Sequence, residues 1–205
     1  MEKFNLRYWK PTTFIFICGF LALALSAANK YILNHWGISV SIFAVIGFLI
    51  GIINSHYWNK KPFIWMFCIP DMSGRFEGKL DFEYINHERE TISGSIKHTK
   101  EVIQNGSDIV INSWTIDKEG NKSFSTSIEA SIQKKNDGTY RVIYNFQNEG
   151  NHELGFSPYY GTEVLNFIEN SEGKHFIGDY YTNRIPHQTK GRTDLKFISK
   201  ELNKK

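Results

Sequence analysis

Two cysteines, Cys18 and Cys68, leave the chain without a disulfide framework. Both lie in or beside apolar segments, which suits a reducing cytoplasm. The seven histidines are scattered with no His-x-His, His-x-x-x-His or Cys-x-x-Cys spacing, so no metal-ligand pattern is present. The sequence also lacks a Gly-x-Ser-x-Gly elbow, a Walker loop and a dinucleotide-binding Gly-x-Gly-x-x-Gly. An enzyme is therefore the least favoured class, with neither catalytic residues nor a cofactor expected. Excess charge is small. Residues 1–69 carry six basic and one acidic side chain, which leaves 18 basic and 20 acidic for the remainder. The basic excess flanks apolar runs, so it argues for neither a DNA nor an RNA polymer partner.

Those runs are the first positive feature. Residues 12–28 and 36–53 hold no ionisable group except a thiol, and a short polar break at Asn29, Lys30, Asn34 and His35 separates them. Each is long enough for about 25–27 Å of helix, at the low end of what spans a bilayer. They read as a two-helix transmembrane hairpin. A cleaved signal peptide is the alternative for the first, since Lys3, Arg7 and Lys10 precede it and small residues end it. Lys60 and Lys61 follow the second run, whereas the connecting loop has only Lys30, so both termini are expected in the cytoplasm. The stretch at 56–70 mixes Tyr57, Trp58 and Trp65 with lysine and proline, and reads as an aromatic belt followed by a linker. The expected division is a membrane segment with its linker at 1–69 and a soluble domain at 70–205. The Asn-x-Ser sequons at Asn105 and Asn121 are incidental on the cytoplasmic side.

From Asp71 the texture changes to β-branched and aromatic residues broken by turn signals. Eight strands are expected near 74–85, 91–99, 108–117, 122–133, 139–148, 162–169, 174–184 and 191–199, with glycine turns at Gly106, Gly120, Gly138 and Gly173. Short connections imply an antiparallel meander, and eight strands can close a barrel with room for side chains or one small ligand; a sandwich is the alternative. The long aromatic connection at 148–161 is expected to act as a lid over one mouth.

Alternation assigns inner faces. Phe76, Gly78, Leu80, Phe82 and Tyr84 share one; Val142, Tyr144, Phe146 and Asn148 another; Thr193, Leu195 and Phe197 a third. In 122–133, Phe124, Thr126, Ile128, Ala130 and Ile132 look like core, with Ser123, Ser125 and Ser127 solvated. Phe176, Gly178, Tyr180, Thr182 and Arg184 line up on one side, which points an arginine inward. Arg184 can fork onto phosphate oxygens; Tyr144, Tyr180 and Trp114 can stack on bases; Asn148 can bond a base edge. The competing reading is an arginine that closes the barrel against backbone carbonyls. In the second apolar run, Gly47 and Gly51 make a flat face, either for packing within the hairpin or for joining protomers.

The order of two apolar runs, an aromatic linker, PDMSGRFEG, KSFSTS, YNFQN and GDYYTNR with a final strand resembles the two-transmembrane β-barrel effectors of CBASS, the cyclic-oligonucleotide-based anti-phage systems of bacteria. The resemblance implies a cytoplasmic, lipocalin-like, eight-stranded up-and-down barrel that senses a cyclic dinucleotide made by a partner nucleotidyltransferase. It further implies self-association in the inner membrane, contact with its lipids and membrane damage that aborts infection. Tyr144 and Asn148 fall on a Tyr-x-Tyr-x-Asn pattern, and Tyr180, Thr182 and Arg184 on Gly-x-Tyr-x-Thr-x-Arg. Phe146 and Glu149-Gly150 depart from it. The rival class is a membrane-anchored barrel for a lipid-like molecule, or a passive interaction module.

Overall fold

The structure is a computed structural model that describes residues 6–116, 120–150 and 157–202. The chain divides into two compact units, one running through Asp71 and including Asn105–Asp108, the other made of Met72–Gln104 and the residues from Ile109 onward.

In the first unit, helix α1 spans Pro11–Trp36 and α2 spans Ile42–Ile52, continued by a π-helical turn over Ile53–Tyr57. Pro11 sits in the first turn, where its missing N–H costs nothing. The polar residues expected to break the chain at 29–35 do not. They remain helical, with Tyr31 and His35 stacked one turn apart at 4.1 Å, and the helix ends at Gly37, which adopts the left-handed conformation and donates its N–H to Leu33. Polarity alone does not end a helix; a left-handed cap does. At 26 residues, α1 is long and apolar enough to cross a membrane. The second apolar helical stretch, Ile42–Tyr57, is shorter, about 24 Å at 1.5 Å per residue. The two expected spans at 12–28 and 36–53 thus become one long helix and one short one.

The expected aromatic belt is only partly displayed. Trp65 and Tyr57 are exposed, but Trp58, Met66 and Phe67 are buried with Tyr8 and Trp9. Residues 8–10 pair antiparallel with 66–68, and the Trp9 ring lies 4.6 Å from Phe67. At the centre is Asn54, whose Oδ1 accepts from Trp9 Nε1 at 3.1 Å and from Ser107 Oγ at 2.7 Å, while its carbonyl accepts from Gly106 N. A Cβ on Gly106 would collide with Phe67 and this amide, which accounts for the glycine.

The second unit is an antiparallel barrel. Among the described residues, β1 (Gly74–Ile85), β2 (Thr91–Gln104), β3 (Ile109–Ile116), β4 (Lys122–Lys134), β5 (Tyr140–Asn148), β6 (Tyr159–Asn170), β7 (Gly173–Thr182) and β8 (Lys190–Ser199) pair in sequence order, and β8 closes on β1. This is the up-and-down order expected of short turns. Phe76, Val102, Ile111, Val142, Leu165, Phe176 and Leu195 fill the end at which β1 begins, as alternation requires. Three glycines allow the close approach that a coiled barrel needs. A Cβ on Gly78 would overlap the Asp194 carbonyl, one on Gly178 that of Val164, and one on Gly191 that of Asp81.

Strand β4 overturns one expectation. Its pairing with β5 slips between Ser127 and Glu129, so Ile128 is an extra, exposed residue. Before this bulge the serines face inward and Phe124 outward; after it Ile132 is buried in the core. The sequence period of two was read straight through a one-residue phase shift. The connection at 148–161 is also shorter than expected, because Tyr159–Gly161 belong to β6. Residues 151–156 of the expected lid lie outside the described residues.

Gly178→Ala is expected to destabilise the barrel by about 1–3 kcal/mol through backbone overlap. Denaturant unfolding of the detergent-solubilised chain followed by barrel tryptophan fluorescence checks this; a loss below about 0.5 kcal/mol would show that β6 and β7 separate freely there.

Candidate functional site

A cavity of about 500 Å³ opens within the barrel. It lies toward the end where the β1–β2, β3–β4, β5–β6 and β7–β8 connections meet. Registry explains its layers. Across β5, β6 and β7, Tyr144 pairs with Glu163 and Glu163 with Tyr180, so three polar side chains enter at one level. Two residues nearer the mouth come Phe146, Gly161 and Thr182, and then Asn148 beside Tyr159.

The deeper level is an ion pair. Lys100, from the inner face of β2, is 1% exposed and donates to Glu163 Oε2 at 2.8 Å, to Tyr144 OH at 2.9 Å and to Ser113 Oγ at 3.2 Å. Tyr144 in turn donates to the same Glu163 oxygen. Burial lowers the Lys100 pKa, and Glu163 opposes that shift. Burial raises the Tyr144 pKa far above the phenol range, and the Glu163 charge and the hydrogen bond to it add to the shift. The other carboxylate oxygen, Oε1, and both ring nitrogens of His98 are buried and lack a hydrogen-bond partner among the described residues. Burial, and after it the Lys100 charge, hold the His98 pKa well below its ordinary value and keep the ring neutral; hydrogen bonding to the nearby Trp114 backbone opposes them.

Five of the six expected ligand residues surround this cavity, but they differ in what they are free to do. Arg184 lies just past β7, half-buried in the cavity wall, where its charge favours the phenolates of Tyr159 and Tyr180 against a larger opposing effect of burial. Tyr180 is buried beneath it. Thr182 holds the β7–β8 connection, with Oγ1 accepting from Thr189 N at 3.2 Å and donating to the Thr189 carbonyl at 3.3 Å. Asn148 uses both amide hydrogens on Ser123 and Ser125, at 2.8 Å each, and its Oδ1 accepts from Gly150 N. Tyr144 lines the cavity but is 2% exposed, with its hydroxyl committed to Glu163.

Trp114 requires correction. The inner positions of β3 are Ile109, Ile111 and Ser113, so Trp114 points outward, where its ring lies 5.3 Å from Phe124. It does not line the cavity. The aromatic groups at the mouth are instead Tyr84, Tyr159 and His187, with Tyr84 and His187 stacked at 5.4 Å. A methyl group placed on Gly47 or Gly51 would meet nothing within 4 Å, so neither glycine is needed for close packing against the described residues.

Sequence reasoning missed His98, Lys100 and Glu163, although a signal existed. Lys100 shares its face with Ile96 and Val102, and Glu163 with Leu165 and Phe167, so opposite charges stood on two core faces. Among the described residues, no group of three or more His, Cys, Asp or Glu side chains is placed to hold a metal ion.

A polar-floored cavity with an arginine and aromatic rings at its mouth suits a compact anion bearing planar groups. Residues 67–196, almost two thirds of the chain, match the family described as Cap15, cyclic dinucleotide receptor domain. The chain belongs to that family. No curated protein matches its sequence. Membership supports the resemblance to CBASS effectors and gives a cyclic dinucleotide as the ligand class. The barrel is accordingly a receptor fold of the Cap15 family, with its cavity at the mouth.

The neutral His98 gives the fold a pH dependence. An unfolded chain takes up a proton near pH 6.5 that the native barrel refuses, so this contribution to stability is complete above that pH and is lost as pH falls toward the lowered native pKa. Compared with His98→Leu, the wild type is expected to lose about 1.4 kcal/mol per pH unit below that point. Parallel denaturation series down to about pH 5 check it, and identical slopes would show that His98 is protonated in the native barrel.

Proposed function

We propose that the chain is a CBASS effector without enzymatic activity that binds a cyclic dinucleotide in the mouth of its barrel, self-associates in the bacterial inner membrane and damages it, causing abortive infection. The observation that carries this reading is the half-buried Arg184 at the mouth of the barrel cavity, in a chain of the cyclic dinucleotide receptor family. In this reading the guanidinium pairs with a phosphate, Tyr180 and Tyr159 pack on the ligand, and Thr182 and Asn148 hold the surrounding connections in place. A partner nucleotidyltransferase supplies the ligand. Helix α1 anchors the chain, α2 completes a hairpin with both termini in the cytoplasm, and Gly47 and Gly51 are open to a neighbouring protomer. Two helices per protomer cannot enclose a pore, so association is required for damage.

One feature of the barrel supports a link between ligand and association. A second groove, of about 920 Å³, lies on its outside and exposes Ile85, Ile128, Tyr160 and Tyr181. Phe146, Thr182, Pro186, His187 and Thr189 line both this groove and the cavity. A ligand that orders these shared walls reshapes the outer surface, and it drives association only by binding that arrangement better than the resting one.

Arg184→Ala is expected to weaken binding of a cyclic dinucleotide by roughly 10- to 100-fold, the range of a hydrogen bond to a charged group, with little change in melting temperature. Calorimetry of the detergent-solubilised chain tests it. Retained affinity in a folded variant would return Arg184 to a structural role, and binding of lipid alone would favour the membrane-anchored lipid-binding barrel. Ile128→Asp, on the exposed bulge, is expected to leave ligand affinity unchanged and abolish the ligand-dependent increase in particle mass seen by mass photometry; assembly that survives the charge would place the contact elsewhere.

A further inference from the structure

The floor of the cavity is built unlike its mouth. Lys100 has three donors, and all three are engaged, by Ser113, Tyr144 and Glu163. The buried cation is therefore not available to a phosphate. Glu163 presents the reverse situation. Its Oε2 receives both Lys100 and Tyr144, whereas its Oε1, in a side chain only 3% exposed that contributes to the cavity wall, accepts nothing among the described residues. His98, also in the wall and neutral, adds a buried imidazole whose nitrogens meet no partner at good hydrogen-bond geometry among those residues, although the Trp114 backbone lies near enough to act on the ring.

A buried carboxylate oxygen without a donor costs free energy that a suitable ligand group recovers on binding. Phosphate oxygens cannot supply that group, because they only accept and would meet the carboxylate as like charges. Ribose hydroxyls can donate, but in a cyclic dinucleotide the sugars adjoin the phosphates, and Arg184 holds those at the mouth. The part of the ligand that reaches deepest is then a base, whose edge carries N–H donors.

We propose that Glu163 Oε1, with His98 beside it, reads one base of the cyclic dinucleotide by accepting an N–H of its edge, so that Arg184 sets affinity for the phosphates and the floor sets which base is accepted. This inference rests on the cyclic dinucleotide reading of the cavity. The Lys100–Tyr144–Ser113 cluster acts as a mount: it fixes Glu163 through Oε2 and leaves Oε1 as the acceptor without a partner among the described residues. Discrimination follows from the general rule that a site built to hydrogen-bond a group rejects the analogue lacking it more strongly than any apolar fit can.

The test is a thermodynamic cycle on the full chain in detergent. Cyclic dinucleotides carrying each of the four common bases are ranked by calorimetry. Analogues of the best binder are then made with one edge donor removed at a time, by deleting an exocyclic amino group or methylating a ring N–H. One such change is expected to cost the wild type roughly 10- to 100-fold in affinity. The same change is expected to cost Glu163→Gln less than about 3-fold, since the partner of that donor is already altered. Arg184→Ala is expected to weaken all the ligands alike and leave their ranking intact. Wild-type tolerance of every donor deletion, within about 3-fold, would overturn the proposal, as would an equal penalty in a folded Glu163→Gln variant. If that variant does not fold, the amino-deleted analogues, which add no bulk, decide on the wild type alone. Failure of every cyclic dinucleotide to bind the wild type sinks the receptor reading and this inference with it, whereas binding without coupling to Glu163 sinks this inference only.

Discussion

An ion pair buried inside the barrel divides it into two halves with different work. Toward the end where β1 begins, the interior is closed by apolar side chains such as Phe76, Phe176 and Leu195. Beyond Lys100 and Glu163 the space is open, and its lining mixes polar groups with aromatic and aliphatic side chains such as Phe82, Ile96 and Phe146. Removing one member of a buried pair typically costs about 3–5 kcal/mol, because the survivor is left as an uncompensated charge. Lys100 and Glu163 also come from β2 and β6, which share no ladder, so the pair fastens opposite walls that backbone hydrogen bonds do not join. The floor of the cavity, and the placement of the Glu163 carboxylate within it, depend on this contact.

Around that pair the site has a consistent division of labour. Residues that look exposed to chemistry in the sequence prove to be fasteners: Asn148 binds the β4 serines, and Thr182 ties down the connection to β8. Their hydrogen-bonding capacity is largely satisfied within the protein, so they shape the mouth more than they contact what enters it. Arg184 sits just past the end of β7, with its N–H donated to Thr182 Oγ1 at 3.4 Å. A guanidinium on a connection, tied through its backbone to a buried strand residue, places a charge at the mouth without interrupting the barrel ladder.

Much of the barrel was legible because its strands alternate cleanly. The run from Phe76 to Tyr84 and the one from Phe176 to Thr182 each place their even-numbered residues inward, and glycine turns set the limits between strands. Legibility failed where the code is not local. The β4 bulge shifts a strand's phase by one residue, and only its partner β5 reveals it. The orientation of Trp114 was lost for want of a phase for β3, although Ile109 and Ile111 carried one. The end of α1 lies beyond the polar residues at 29–35 because the left-handed cap at Gly37, and not side-chain polarity, stops the helix. Lys100 and Glu163 are 63 positions apart, and nothing in either neighbourhood indicates the other. Each alone reads as an error in a core face; together they make a site.

The bulge at Ile128 bears on how such a receptor changes over generations. It lets one strand serve two masters, since the segment before it lines the mouth with hydroxyls and the segment after it packs the closed half with Ala130 and Ile132. With the phase reset between them, substitutions that retune the hydroxyl-bearing segment need not disturb the packing of the other. Deletion of that single residue would force the two segments back into one register, turning either the serines out to solvent or Ile132 away from the core. Freedom to diversify the mouth along this strand therefore hangs on keeping a chain length, not a side chain.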